Sequence, residues 1–135
     1  MKPFYTTTNR SLKSPPLFLM LILTGAFCNA VNAQKITINS GSSLVLNGSV
    51  SLVINNAAFQ NNGTFAAGAS TVVFTGSNDT TTSYVDGNTA STFNNLYVIK
   101  SAYGVALKSK VIVTNVLTVN GGNLYADSNL ILKSD

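Results

Sequence analysis

From residue 35 to residue 132 the apolar positions come in pairs spaced by two. Ile36 and Ile38 open the series, followed by Leu44 and Leu46, then Val50, Leu52 and Ile54, then Val72 and Phe74. Beyond Thr92-Phe93-Asn94-Asn95-Leu96-Tyr97-Val98-Ile99-Lys100 the pattern tightens. Val105 pairs with Leu107, Val111 with Val113, Leu117 with Val119, Leu124 with Ala126, and Leu130 with Leu132. Residues two apart on an extended chain point to the same side. The pairs restart every six or seven residues, with Ser, Asn, Gly or Lys between them. The pattern predicts a train of very short strands broken by tight bends. Thr80-Thr81-Thr82-Ser83 is the least patterned segment, read as a loop leading into a strand near Tyr84.

No segment carries apolar residues at the i, i+3, i+4, i+7 spacing of an amphipathic helix. Thr, Val, Ile, Ser, Asn and Gly dominate, which is strand-and-turn chemistry. The expected class is all-β. Sandwiches and barrels need strands of about 5–6 residues with turns every 8–12 residues. The shorter repeat fits a parallel β-solenoid, in which three faces of three to five residues each make a coil of about 20 residues. Val105 and Leu124 lie nineteen positions apart, as do Val111 and Leu130. Both pairs are therefore expected to stack in register, with Val105, Val111, Leu117, Leu124 and Leu130 all facing one bore. Asn39, Asn47, Asn55, Asn115, Asn123 and Asn129 are expected at corners, where Asn tolerates left-handed backbone and can stack into amide ladders.

The first 33 residues read differently. Lys2, Arg10 and Lys13 make a basic start, an apolar run fills 17–23, and Val31-Asn32-Ala33 supplies a peptidase site. This is the pattern of a secretory signal peptide, with cleavage expected between Ala33 and Gln34. A membrane anchor is the rival reading, but the run is about half the ~20 residues a span requires. Lipidation at Cys28 is a second rival, opposed by Phe27 where a small residue is needed. The mature chain, 34–135, would then hold no cysteine and depend on its core and backbone bonds.

The charge changes the picture only once the leader is set aside. The whole chain carries +4. The mature part keeps Lys35, Lys100, Lys108, Lys110 and Lys133 against Asp79, Asp86, Asp127 and Asp135, a balance of +1. That argues against nucleic acid as a partner. Histidine is absent, which removes Ser-His-Asp and Cys-His catalysis and imidazole metal sites. Asp79 and Asp86 are the only close carboxylates, candidates for glycoside cleavage or, with Asn88, for calcium. The plainer reading is that Asn78-Asp79 and Asp86-Gly87 are turn dipeptides. No cofactor is expected. Tyr84, Tyr97, Tyr103 and Tyr125 are candidate ligand contacts, because aromatic rings serve as stacking surfaces.

The stretches Phe59-Gln60-Asn61-Asn62-Gly63-Thr64-Phe65, Ser70-Thr71-Val72-Val73-Phe74-Thr75-Gly76, Gly87 followed by Thr92-Phe93-Asn94-Asn95-Leu96-Tyr97-Val98, and Val116-Leu117-Thr118-Val119-Asn120-Gly121-Gly122-Asn123-Leu124 resemble the β-helical repeat regions of large secreted surface proteins of the Bacteroidetes type. The resemblance implies secreted or cell-surface placement, often by type IX secretion, in adhesin-like or structural proteins. It also implies a longer parent with a C-terminal sorting domain, of which residues 34–135 would be a fragment. A last coil ending at Leu132 would then self-associate end to end through its unpaired backbone groups. The function expected is a non-catalytic structural or adhesin-like surface module. The alternative is a carbohydrate-binding module using exposed Tyr and Asn, with surface polysaccharide or another cell-surface protein as partner. A polysaccharide lyase or hydrolase stands third.

Overall fold

The computed structural model describes residues 34–77 and 82–133. The predicted leader, Ala33 at the cleavage site and Asp79 lie outside the described residues. Gln34 is the first residue of β1.

Among the described residues there are twelve strands and no helix. They are β1 Gln34–Ile38, β2 Ser43–Val45, β3 Ser51–Asn55, β4 Ala57–Asn61, β5 Thr64–Ala66 and β6 Thr71–Gly76. The second half continues with β7 Ser83–Asp86, β8 Ser91–Lys100, β9 Val105–Leu107, β10 Val111–Val119, β11 Leu124–Tyr125 and β12 Leu130–Leu132. Every ladder is parallel. A parallel ladder cannot close through a hairpin, so each strand pairs with one a full coil away. The result is the expected β-solenoid.

Three faces follow from the register. The first is the sheet β1-β4-β7-β9-β11. The second begins with the β2-β5 ladder and continues in the opening halves of β8 and β10 and in β12. The third is β3 and β6 with the closing halves of β8 and β10. In chain order the faces repeat through four coils and the first two faces of a fifth. Val105 stacks on Leu124 and Val111 on Leu130, the two pairs expected from their spacing.

Alternation puts one side of each strand into the bore. Leu52, Val72, Leu96 and Leu117 form one stack on the third face, and Ile54, Phe74 and Val98 another. Val105 and Val111 are fully buried, while Leu117, Leu124 and Leu130 pack half-buried against the same core. Each fully buried Val, Leu or Phe contributes about 1.5–3 kcal/mol. At the centre Phe59, Phe65 and Phe93 meet with ring centroids 5.1, 5.5 and 5.9 Å apart. Their tilted and edge-on packing is the arrangement aromatic quadrupoles favour. The trio ties the second coil to the third.

The corners depart from expectation in two ways. First, β8 and β10 are ten and nine residues long and run continuously around a corner, where separate short strands were expected. Neither has a glycine at the bend. Instead the register shifts between Val113 and Val116, so that Thr114 and Asn115 oppose the single residue Asn94. An extra residue of this kind bends a strand without breaking it. Second, among the described residues the non-glycine ones with left-handed backbone are Asn56, Tyr103 and Asp127, none of the six asparagines named above. Only Asn115 joins a side-chain ladder: its Nδ2 donates to Asn95 Oδ1 (2.8 Å), and Asn95 Nδ2 donates to Thr71 Oγ1 (3.2 Å). Asn39, Asn47 and Asn123 lie near glycines that already take up the left-handed backbone, Gly41, Gly48 and Gly122, while Asn55 and Asn129 lie near Asn56 and Asp127, which take it up instead.

One polar side chain enters the bore at length. Lys100 closes β8 between Gly76 and Gly121 on neighbouring coils. It is 1% exposed. Its Nζ donates to Ser83 Oγ over 2.9 Å, so the ammonium is turned inward.

Candidate functional site

With the bore filled by side chains, contact with anything else falls to the outer faces. Outward residues of successive coils lie in rows along the solenoid axis, about 4.8 Å apart. On the first face one row reads Lys35, Ala58, Tyr84, Ala106, Tyr125. Tyr84 and Tyr125 therefore share a row, separated by a small residue. Lys108 Nζ sits 4.2 Å from the centroid of the Tyr84 ring, a cation–π distance. Tyr125 is 48% exposed, and its hydroxyl accepts from Asn123 Nδ2 at 3.0 Å. Over Ala58 lies a recess of about 180 Å³, walled by Tyr84, Thr82, Gln34 and Asn56.

The other two candidate tyrosines are elsewhere. Tyr97 lies on the third face, in a row with Val53, Val73 and Thr118. Tyr103 occupies the turn between β8 and β9 in left-handed backbone. The four candidates thus divide among three places, and only Tyr84 and Tyr125 are brought together.

Asp86 is engaged in its turn: Oδ1 accepts from Gly87 N–H at 2.7 Å. Asn88 N–H donates to Asn62 Oδ1 at 3.0 Å, tying that turn to the previous coil. Gly87 is held at φ +129°, and a Cβ there would run into the Asn61 carbonyl. Among the described residues no three of His, Cys, Asp or Glu converge as metal ligands would. Among them, too, no helix is long and apolar enough to cross a membrane.

The larger depression was not anticipated from the sequence. It is a groove of about 380 Å³ along the edge of the third face. Its floor is one axial row, Asn55, Thr75 and Ile99, continued by Asn120, whose N–H donates to the Val98 carbonyl at 2.8 Å, so that four successive coils contribute. Ser77 and Ser101 form the opposite wall. That wall is braced, since Ser101 Oγ donates to the Ser77 carbonyl at 3.0 Å and Ser101 N–H to the Gly76 carbonyl at 3.2 Å. Gly76 and Gly121 line the groove without side chains to fill it. Ile99, 42% exposed, is its apolar centre. Lys100 also lines it, but its ammonium is directed to Ser83 in the interior. The groove is visible only once the coils are in register, because its four floor residues lie 20 to 24 positions apart in the chain.

Comparison of the chain with protein-family models, with curated protein sequences and with solved structures yields no match.

Proposed function

We propose that this chain is an exported, non-catalytic surface module of the structural or adhesin-like kind, acting through its outer faces. The observation that carries the reading is the filled bore: the inward positions are committed to packing, from Ile54 and Phe59 to Val111 and Val113. A solid solenoid is a rigid display surface, with outward residues fixed in rows along the axis. The signal-peptide pattern of residues 1–33 and the surface-protein repeat style add support. Protein recovered from the cell surface or medium should begin at Gln34 by N-terminal sequencing. A product retaining residues 17–23 would overturn the export reading. The recovered protein should release no oligosaccharide from a panel of polysaccharides, and release would overturn the non-enzyme reading.

A second reading is binding of carbohydrate on the cell surface. It is favoured by the amide, hydroxyl and apolar groups that line axial depressions on two faces. Retention of the secreted protein on insoluble cell-surface polysaccharide tests it, with passage unretained as the opposing result.

A further inference from the structure

We infer that the groove over Asn55, Thr75, Ile99 and Asn120 is a binding site for a neutral, linear β-linked oligosaccharide lying parallel to the solenoid axis. The inference rests on the carbohydrate reading above and places the sugar on a different face from Tyr84 and Tyr125.

The groove's chemistry selects among ligands. Among the described residues no lining side chain presents a charge to it, because the only ionisable group there, Lys100, is buried and turned to Ser83. Nucleic acid and uronate chains therefore find no counter-charge, and sequence-independent nucleic-acid binding depends on such neutralisation. An extended peptide would need main-chain hydrogen bonds, the source of affinity in strand addition. Here the main chain of Thr75 and Ile99, at the centre of the floor, is already paired between coils, and Asn120 N–H donates to the Val98 carbonyl. What remains on offer is amide and hydroxyl groups around an apolar patch. A sugar chain matches that combination, with hydroxyls at its edges and C–H faces on its rings.

The dimensions select further. A volume of about 380 Å³ lies at the lower end of the range for ligand sites. The floor spans three inter-coil steps of about 4.8 Å each, roughly 14 Å, the length of some three extended sugar rings. Parallel register makes the row straight, which suits the flat ribbon of a β-linked chain better than a coiled α-linked one. Asn55 and Asn120 stand at the two ends, so an amide can bond the sugar at either limit. The Ser77–Ser101 bracing fixes the wall before a ligand arrives, which lowers the ordering cost of binding.

The test is calorimetric titration of the full secreted chain with xylohexaose, cellohexaose and, as the β-linked anionic counterpart, hexamannuronate. Binding of a neutral hexamer is expected, with affinity rising from dimer to trimer and level beyond tetramer. Ile99→Glu should weaken it by at least about tenfold and Asn120→Ala severalfold, the scale of one lost hydrogen bond. Both positions are solvent-exposed, so melting temperatures should hold and separate loss of binding from loss of fold. The double variant Tyr84→Ala, Tyr125→Ala should bind as the parent does. If that double variant loses binding while the groove variants keep it, the groove assignment falls and the carbohydrate reading stands. Tighter binding of hexamannuronate would overturn the neutral class. No binding of any of the three would overturn the groove proposal, while retention on insoluble polysaccharide would still report on the broader reading.

Discussion

Lys100 and Ser83 meet inside the bore, with Nζ 2.9 Å from Oγ, joining the end of β8 to the start of β7 within one coil. Ser83 is 5% exposed, so this hydrogen bond to a charged donor is made away from water. Hydrogen bonds to charged groups contribute about 1.5–3 kcal/mol. Ser83→Ala should lower stability by that amount. Chemical denaturation would show it as an earlier midpoint with an unchanged slope. An unchanged midpoint would mean that Ser83 is dispensable to the buried ammonium.

Val98 and Ile99 are neighbours on opposite sides of the third face, one fully buried and the other 42% exposed. Val98→Asp places a carboxylate among apolar side chains, at a cost of several kcal/mol or outright failure to fold. Ile99→Asp should shift the melting temperature by a degree or two at most, in line with surface substitutions of about ±0.5 kcal/mol. Equal melting temperatures would contradict the register.

The trio of Phe59, Phe65 and Phe93 should be the most sensitive point of the core. Phe59 is fully buried and contacts both other rings. Phe59→Ala removes those contacts and leaves a cavity, with an expected loss of about 3–5 kcal/mol. Equilibrium denaturation measures it. A loss under about 1 kcal/mol would show that the neighbouring coils collapse into the space.

Ser70 and Ser91 behave in the opposite sense. Both are fully buried, and neither hydroxyl has a hydrogen-bond partner in the structure. Their backbones bond normally: the Ser70 carbonyl accepts from Asn95 N–H at 3.2 Å, and Ser91 N–H donates to the Lys110 carbonyl at 2.9 Å. Small size at the corner is what these positions require. Ser70→Ala and Ser91→Ala should be neutral or stabilising by up to about 1 kcal/mol, because an unsatisfied buried hydroxyl is itself a cost. Differential scanning calorimetry of each variant would show an equal or higher transition, and a clear fall would reveal a bond these hydroxyls make in solution.

What could be read from the sequence was whatever repeats locally. The alternation in Val105-Ala106-Leu107 and Val111-Ile112-Val113 fixed which side faces inward. The nineteen-residue spacings fixed which coils touch at the C-terminal end. The earlier coils were harder because their lengths differ: Phe59 stacks on Val85, 26 positions on. The sites of left-handed backbone escaped for a related reason. Glycine already absorbs most of the turning, and the remainder falls on Asn56, Tyr103 and Asp127, where corner geometry demands it. In the interior Lys100 meets Ser83, seventeen residues earlier and on another face. No local pattern marks such a partner. Tyr84 and Tyr125 could be named as outward aromatics, but their shared row required the full pairing scheme. The groove needed the same scheme four times over.

Strand pairing that is everywhere parallel also dictates how the molecule comes into being. A hairpin forms from adjacent residues, but the ladders of this solenoid join residues 19 to 26 positions apart. The first ladder must enclose a whole circuit of chain before any bond repays the lost freedom, so initiation is slow. Closure is expected to be least unfavourable where it brings Phe59, Phe65 and Phe93 together, between the second and third coils. From a first closed circuit each finished coil would serve as the mould for the next, with growth outward in both directions one rung at a time.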